Sequence, residues 1–214
     1  MSIVRAMSDE GTVRRQERSA PVVSKVLKVT CDIINRGGEQ ALTIAEVRER
    51  TGVTIGSIYH HFGSREGLVA AAYANIYGGL ALREVELLRG LTANVKNAAE
   101  FEKVAKTAVA TIYGDAETPN RIKRMTVIAA AQHRPLLRAA IAQKQDEATA
   151  ALVEWVSEMQ ARGFYNKEIN PHSLAVLLQA IPFGRVIDTV ANDQLGDADF
   201  AVLCGRVLAA LQSK

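Results

Sequence analysis

Five residues in one short segment carry the chemistry that this sequence shows most plainly; they are Ile55, Gly56, Ser57, Tyr59 and His60. Ser57 and Tyr59 can donate hydrogen bonds to phosphates or to base edges, and Ile55 can touch a thymine methyl group. Gly56 would allow the backbone to approach a nucleic acid closely. Because the set also contains no acid, the pattern favours a contact with DNA. The alternative for such a short window is that Gly56 is only a weak helix residue and Tyr59 a packing residue.

Two short helices joined by a glycine turn are needed to position these residues. Thr43 is a suitable N-cap for the first helix, and Glu46 three residues later completes a capping box. Gly52 stands at the turn, where a positive φ is expected, and Thr54 caps the second helix. The inward face of the second helix holds Ile58 and Phe62. This layout predicts a helix-turn-helix, whose second helix lies in the DNA major groove.

Arg65 adds a second indication, because it falls in the first turn of the next predicted helix. A cation near the positive end of a helix dipole is unfavourable by roughly 0.3 kcal/mol, whereas a bound phosphate would reverse the sign. The alternative is a solvated Arg65 whose charge is offset by Glu66.

Residues 24–69 resemble the TetR family of bacterial transcriptional regulators. The resemblance rests on an apolar first helix and on these residues: Arg36-Gly37, Thr43, Ile44, Val47, Thr51-Gly52-Val53, Gly56 to Phe62, Ser64-Arg65-Glu66 and Leu68. The Gly-x-x-Tyr-x-x-Phe run followed by Ser-Arg-Glu is specific in this context. The rest of the chain matches only in length and helical layout.

The resemblance implies a three-helix DNA-binding head on a larger helical body, which dimerises through its last two long helices and often holds a small-molecule pocket. The DNA contacts that it carries over are Thr43, Thr54, Ser57, Tyr59, His60 and Arg65. Ile55 stands where the family usually has Lys or Arg, and Arg48 stands where a small residue is usual. Arg48 is therefore either a replacement phosphate contact or simply exposed. With Ile55, Gly56 and Arg48 included, nine residues are predicted to contact DNA.

Helical periodicity runs through almost every long segment, and no segment alternates as a strand would, so the predicted fold class is all-α. We expect a flexible N-terminal arm over 1–20, the helix-turn-helix domain over 21–68, and a helical effector-binding and dimerisation domain over 69–214. A long helix from Ser64 would connect head and body, with Gly78-Gly79 as its weak point. Pro182 should kink a later helix, and Asp197 should cap the last one.

Composition supports DNA binding only weakly. The 214 residues are 48% hydrophobic and carry a net charge of +3, and residues 1–67 hold ten Lys/Arg against eight Asp/Glu. Cys31 and Cys204 lie in apolar helical patterns, which indicates buried free thiols. No apolar run of about 18 residues predicts a membrane span, and the start of the chain lacks a signal core, so a cytoplasmic protein is expected.

The predicted body offers two sets of residues. Large residues sparsely placed in it are candidates for an effector pocket, with plain core packing as the alternative for each: Tyr113, Met125, Gln132, His133, Trp155, Met159 and Phe183. The apolar faces of the last two helices are candidates for a homodimer seam, with internal packing as the alternative: Leu174, Leu177, Leu178, Ile181, Phe200, Leu203, Val207 and Leu211.

The sequence therefore predicts a repressor that a small-molecule effector releases from a near-palindromic DNA operator, since a dimer places two recognition helices about 34 Å apart. The identity of the effector cannot be read from these residues. An enzyme is not expected, because the chain shows no phosphate-binding glycine loop and no paired metal-ligand spacing, and neither cofactor nor metal is expected. Two other classes remain open: a nucleoid or division factor of the same fold, and a helical interaction module that no longer binds DNA.

Overall fold

A computed structural model describes the backbone of residues 3–212 and the side chains of residues 20–212. Over residues 3–212 it contains nine α-helices: α1 (Ile3–Gly37), α2 (Ile44–Thr51), α3 (Ile55–Phe62), α4 (Arg65–Thr92), α5 (Ala98–Tyr113), α6 (Thr118–Ala131), α7 (Pro135–Ala161), α8 (Pro171–Asp188) and α9 (Asp197–Ala210). Short 3₁₀ turns occupy Glu39–Ala41 and Asp115–Glu117. The all-α prediction is confirmed. The same residues form no strand beyond one isolated bridge between Tyr165 and Gln212.

The N-terminal unit comprises Met1–Ile76 together with Arg134–Ala140, and its core is apolar. Val26 and Ile33 lie two helical turns apart on α1, so they share the face that is buried against Ile58 of α3 and Leu68 of α4. The return of the chain at Arg134–Ala140 into this unit was not foreseen.

α1 begins at Ile3, and side chains before residue 20 lie outside the described residues. The predicted boundaries at 20 and 68 stay predictions.

The C-terminal unit comprises Tyr77–His133 and Ile141–Lys214. Within it α5 packs against α9, and α6 packs against α8. Aromatic rings fill much of its core: Phe101 stacks on Phe164 with ring centres 4.7 Å apart, and Tyr165 meets both Phe101 and Trp155 edge-on. This packing leaves an internal cavity, which is described below.

Local signals set most of the helix ends. Asn170 caps α8, because its side chain accepts a hydrogen bond from the backbone N–H of Ser173 at 3.1 Å. The predicted cap of α9 is wrong: Gly196 is the N-cap and Asp197 is the first helical residue. The carboxylate of Asp197 instead accepts hydrogen bonds from Arg185 Nη2 at 3.0 Å and from the backbone N–H of Asp115 at 3.0 Å.

Two long helices pass through residues that weaken helices. α4 continues through Gly78 and Gly79, and a Cβ at Gly78 would lie 2.9 Å from Cδ of Lys144, so the missing side chain makes room for α7. α8 likewise continues through the buried Pro182. No helix in the part of the chain that the structure describes is long and apolar enough to cross a membrane.

Candidate DNA-binding surface and ligand cavity

The turn between α2 and α3 is built as the sequence predicts. Thr43 Oγ1 accepts a hydrogen bond from the backbone N–H of Glu46 at 3.2 Å, which caps α2. Gly52 ends α2 in the left-handed region at φ 68°, and its N–H donates to the carbonyl of Arg48 at 2.7 Å. The hydroxyl of Thr51 accepts from the N–H of Val53 at 3.2 Å, which fixes the chain as it leaves the turn. The direction in which α3 starts is therefore set by several local hydrogen bonds.

α3 presents one side to the core and the other to solvent. Thr54 caps it, because Thr54 Oγ1 accepts from the N–H of Ser57 at 3.2 Å, and Ile58 is fully buried on the inner side. On the outer side Ile55 and Tyr59 are each 41% exposed. Large apolar groups left in water on a short helix are available for a partner.

Gly56 lies on this outer side, and a Cβ built on it would meet no atom within 4 Å. The space beside it is therefore not filled by the protein itself. A glycine that packing does not require leaves room for another molecule to approach the helix backbone. This space permits the predicted close contact, but a similar space lies beside Gly79, so the reading of Gly56 as an ordinary weak helix residue stays open.

The nine residues predicted to contact DNA all lie in the N-terminal unit. Eight of them are exposed: Thr43, Arg48, Thr54, Ile55, Gly56, Tyr59, His60 and Arg65. Ser57 is half-buried. That these residues contact DNA stays a prediction, but none of them is buried in the core.

Arg65 has a structural role that neither interpretation of the sequence anticipated. Its Nη2 donates to the carbonyl oxygen of Glu39 at 2.9 Å and to that of Leu42 at 3.2 Å, and Nε also donates to Leu42 at 3.3 Å. These bonds tie the start of α4 to the 3₁₀ turn that precedes α2. Arg65 is also ion-paired with Glu39, at 3.6 Å between Nη1 and Oε1, whereas Glu66 feels the charge of Arg65 but is hydrogen-bonded by another arginine. The side chain of Arg65 is still 43% exposed, so it can also face a phosphate.

That other arginine is Arg134, which precedes α7. Its Nη1 donates to Glu39 at 2.7 Å, while Nε and Nη2 donate to the two carboxylate oxygens of Glu66 at 2.8 and 2.7 Å. The hydrogen bonds from Arg134 lower the pKa of Glu66, and the two carboxylates in turn raise the pKa of Arg134. Sequence reasoning missed Arg134, since its partners lie 68 and 95 residues away.

The C-terminal unit encloses a cavity with about 50 Å³ available to the centres of water-sized molecules. Most of its wall is apolar and comes from α4, α5, α7 and α8, with residues such as Val85, Leu88, Ala108 and Leu152. One part of the wall is charged, where Glu84 and Arg124 line it together with the carboxamide of Gln179. An apolar cavity with a few placed polar groups is the usual form of a small-molecule site.

Glu84 and Arg124 form a buried ion pair. Nη1 of Arg124 donates to both carboxylate oxygens of Glu84 at 3.0 Å, and the side chain of Arg124 is 2% exposed. The guanidinium carbon lies 4.8 Å from the ring centre of Phe183 and 5.3 Å from that of Tyr77, within range for cation–π attraction. Burial raises the pKa of Glu84 more than Arg124 lowers it.

Two of the seven residues predicted for the effector pocket, Tyr113 and Trp155, line this cavity. The other five do not: Met159 is fully buried core, Phe183 covers Arg124, and Met125, Gln132 and His133 are exposed on or just beyond α6. Large side chains alone are a poor guide to a cavity, because the same residue types fill cores. Glu84 and Arg124 were missed, although a charged residue in an otherwise apolar helical pattern is the signal that would have found them.

The predicted dimer residues separate into three groups. Leu177, Leu203 and Val207 are exposed, at 40%, 56% and 41%. Ile181, Phe200 and Leu211 are partly buried against the core of the C-terminal unit. Leu174 and Leu178 were assigned to the wrong side, since they are 1% and 8% exposed and pack inside that core. Other apolar residues of α8, α9 and the segment between these helices are also exposed: Val176, Ile187, Val190, Leu195 and Val202.

Comparison with known proteins gives consistent results. Residues 26–72 match the family of bacterial regulatory proteins of the tetR type. The regulator UidR of Escherichia coli strain K12, an HTH-type transcriptional regulator, is 21% identical over 199 residues, which cover 91% of this chain and 97% of UidR.

Two solved structures share the fold. A Rhodococcus sp. protein assigned to the TetR family superposes with a TM-score of 0.63 at 20% identity, covering 89% of this chain and 98% of that one. A TetR-family transcriptional regulator from Cytophaga hutchinsonii gives a TM-score of 0.62 at 16% identity, covering 92% and 98%. The capped helix-turn-helix, the family match and these relatives agree: residues 26–72 match the tetR family of bacterial regulatory proteins, and the chain is similar over most of its length to transcriptional regulators.

Proposed function

We propose that the protein is a homodimeric repressor that holds a near-palindromic operator with two copies of α3 and releases it when a small molecule fills the cavity of the C-terminal unit. The observation that carries this proposal is the exposed, acid-free outer face of α3, with Ile55 and Tyr59 in solvent and open space beside Gly56. A ligand can shift such an equilibrium only by binding one state better than the other.

Within the DNA-binding surface we assign two kinds of contact. Ile55, Gly56 and Tyr59 lie on the helix that enters the major groove, so they read base edges or touch thymine methyl groups. Thr43 and Arg48 belong to the preceding helix and its cap, so they contact phosphates and fix the register. The remaining members of the surface are Thr54, Ser57, His60 and Arg65.

The homodimer is supported by apolar residues of α8 and α9 that no described residue covers. Leu177 and Val176 on α8 and Leu203, Val202 and Val207 on α9 are each at least 40% exposed. Large exposed apolar patches mark protein interfaces. Leu174 and Leu178 are excluded from the seam, because they belong to the core.

The test measures how tightly the purified protein binds the DNA upstream of its own gene. Fluorescence anisotropy gives the affinity at several salt concentrations. Wild type should bind with an affinity that falls steeply with salt, because phosphate contacts release counterions. Tyr59→Ala should weaken binding by about tenfold or more, consistent with the loss of a base or phosphate contact.

The matched control is Leu136→Ala, which removes another exposed apolar side chain of the N-terminal unit, 54% exposed, outside the proposed surface. It should bind like wild type, and both variants should unfold at the wild-type temperature. If Tyr59→Ala and wild type bound this DNA equally, the assignment of α3 would be wrong.

A further inference from the structure

Arg124, whose side chain lines the charged part of the cavity wall, has a hydrogen-bond donor without a partner. Nη1 of Arg124 donates to both carboxylate oxygens of Glu84, while Nε of Arg124 is buried without a hydrogen-bond partner. A buried N–H of a guanidinium that lacks an acceptor is costly, and an acceptor oxygen that reached Nε would remove that cost.

Other polar groups in the wall are already engaged within the protein. The indole N–H of Trp155 donates to Thr92 Oγ1 at 3.0 Å, and the hydroxyl of Tyr113 donates to the carbonyl of Leu178 at 3.3 Å. The amide of Gln179 donates to Thr149 at 3.3 Å and accepts from Gln145 at 2.7 Å. Among these groups Arg124 is therefore the one that offers a free donor and a full charge.

The arrangement favours an anion over a cation. A ligand cation at Glu84 would have to displace Arg124 from both carboxylate oxygens. The rings of Tyr77 and Phe183, the aromatic faces suited to a cation here, already face the guanidinium of Arg124. An incoming carboxylate meets the opposite situation, since it can accept from Arg124 without displacing Glu84. Burial also raises the pKa of Glu84, against the lowering effect of Arg124.

The rest of the wall sets the size and character of the ligand. The centres of water-sized molecules can occupy about 50 Å³ of the cavity, which corresponds to about four water molecules. A ligand of that size is one ring or a chain of about six carbons. Apolar side chains such as Val85, Leu88 and Leu152 surround that space. These apolar side chains provide no hydrogen-bond partner for a second charged group or for the hydroxyl groups of a sugar.

We infer that this cavity takes a small apolar monocarboxylate, whose carboxylate pairs with Arg124. The inference rests on the proposed function, because it names the chemical class of the molecule that would release the DNA.

Trp155 gives a direct way to measure this, since it is the single tryptophan of the chain and lines the cavity. The full-length protein, without DNA, is titrated with hexanoate, hexanol and hexylamine, which share one carbon chain and differ in charge, and tryptophan fluorescence and calorimetry report binding. Hexanoate should bind about tenfold or more tightly than the other two, because a charge-assisted hydrogen bond in a buried site is strong. Benzoate repeats the test with a ring.

Three variants test the role of Arg124. Arg124→Met should weaken the binding of hexanoate by about tenfold or more. Arg124→Lys should weaken it less, because Lys keeps the positive charge but lacks the paired N–H donors of the guanidinium. Glu84→Gln should strengthen the binding of hexanoate, because it removes the carboxylate that competes for Arg124 while leaving Arg124 in place. The control Arg138→Met changes an exposed arginine of the N-terminal unit and should bind as wild type does. Glu84→Gln keeps the test decisive if Arg124→Met does not fold.

The inference would be overturned if hexylamine or hexanol bound as well as hexanoate, if neither carboxylate bound at concentrations of about 10 mM, or if Arg124→Met bound hexanoate like wild type. Failure of the proposed function has a different readout. In that case hexanoate would bind as expected, while operator binding would be absent or would not respond to it.

Discussion

The guanidinium of Arg134 holds the carboxylate of Glu66 with two hydrogen bonds, from Nε at 2.8 Å and from Nη2 at 2.7 Å. A third, from Nη1 to Glu39 at 2.7 Å, joins the turn before α2 to the same arginine. One side chain therefore connects the start of α4, the start of α7 and the turn that leads into the helix-turn-helix. Parallel, charge-assisted bonds of this kind are directional as well as strong.

Replacing Arg134 should loosen the N-terminal unit. Arg134→Met should lower the free energy of unfolding by about 1–2 kcal/mol, a modest figure because Glu66 is 40% exposed and solvent screens part of the interaction. Denaturant unfolding followed by circular dichroism measures this. Arg138→Met, an exposed arginine in the same segment, is the control and should change stability by less than about 0.5 kcal/mol. Equal stability of both variants would contradict the role given to Arg134.

The same contact predicts a dependence on pH. Arg134 lowers the pKa of Glu66 in the folded protein, so the contribution of Glu66 to stability is present above the unfolded-state pKa of about 4.3 and is lost as pH falls through the lower folded value. The stability difference between wild type and Glu66→Gln should therefore be largest near neutral pH and shrink towards pH 3. Unfolding measured at a series of pH values tests this, and a difference that grew on acidification would refute it.

Arg65 should affect both stability and DNA binding. Arg65→Ala removes the bonds to the carbonyls of Glu39 and Leu42, so it should cost about 1–2 kcal/mol of unfolding free energy as well as weaken operator binding. Arg48→Ala is the comparison, since Arg48 is exposed and is proposed only as a phosphate contact. It should leave stability unchanged and reduce the salt slope by about one. If Arg65→Ala were as stable as wild type, Arg65 would act on DNA alone.

Gly56 allows stability and DNA binding to be separated. Gly56→Ala adds a methyl group that meets no protein atom within 4 Å, so the helix should gain about 0.5 kcal/mol while operator binding falls. Gly79→Ala is the matched control, because Gly79 is also an exposed helical glycine with no atom within 4 Å of its Cβ position, in the C-terminal unit. It should gain stability and bind DNA normally. Normal operator binding by Gly56→Ala would mean that DNA does not approach that position.

The proposed seam can be tested with charge. Leu203→Glu places a carboxylate on the exposed side of α9, and should convert the dimer to a monomer in analytical ultracentrifugation because a buried, unpaired charge at an interface is costly. Ile122→Glu is the control, since Ile122 is 42% exposed on α6, outside the proposed seam. A dimer that survived Leu203→Glu unchanged would exclude α9 from the interface.

Local hydrogen bonds explain what the sequence could predict. The caps at Thr43 and Thr54 and the left-handed Gly52 each involve residues at most four positions apart, so their partners are visible in the sequence itself. The outward orientation of Ile55 and Tyr59 follows once Ile58 is placed inside. The helix-turn-helix geometry was therefore predictable almost residue by residue, while its contacts with DNA stay a prediction.

The cavity and the dimer face depended on distant packing. α8 is apolar around much of its circumference, so helical spacing could not tell that Leu174 and Leu178 face the core while Leu177 faces solvent. Glu84 and Arg124 lie 40 residues apart and meet only when α4 and α6 pack. Periodicity gives the apolar side of a helix, but it does not identify which neighbour that side meets.

The inclusion of Arg134–Ala140 in the N-terminal unit has a practical consequence for protein engineering. A DNA-binding module cut after Ile76 would leave Glu39 and Glu66 without their shared arginine, and Arg65, 3.6 Å from Glu39, would be the remaining cation described near both carboxylates. Chimeric regulators that graft these DNA-reading helices onto another sensor should therefore carry the Arg134 segment with them, or supply an arginine at the equivalent place in the recipient.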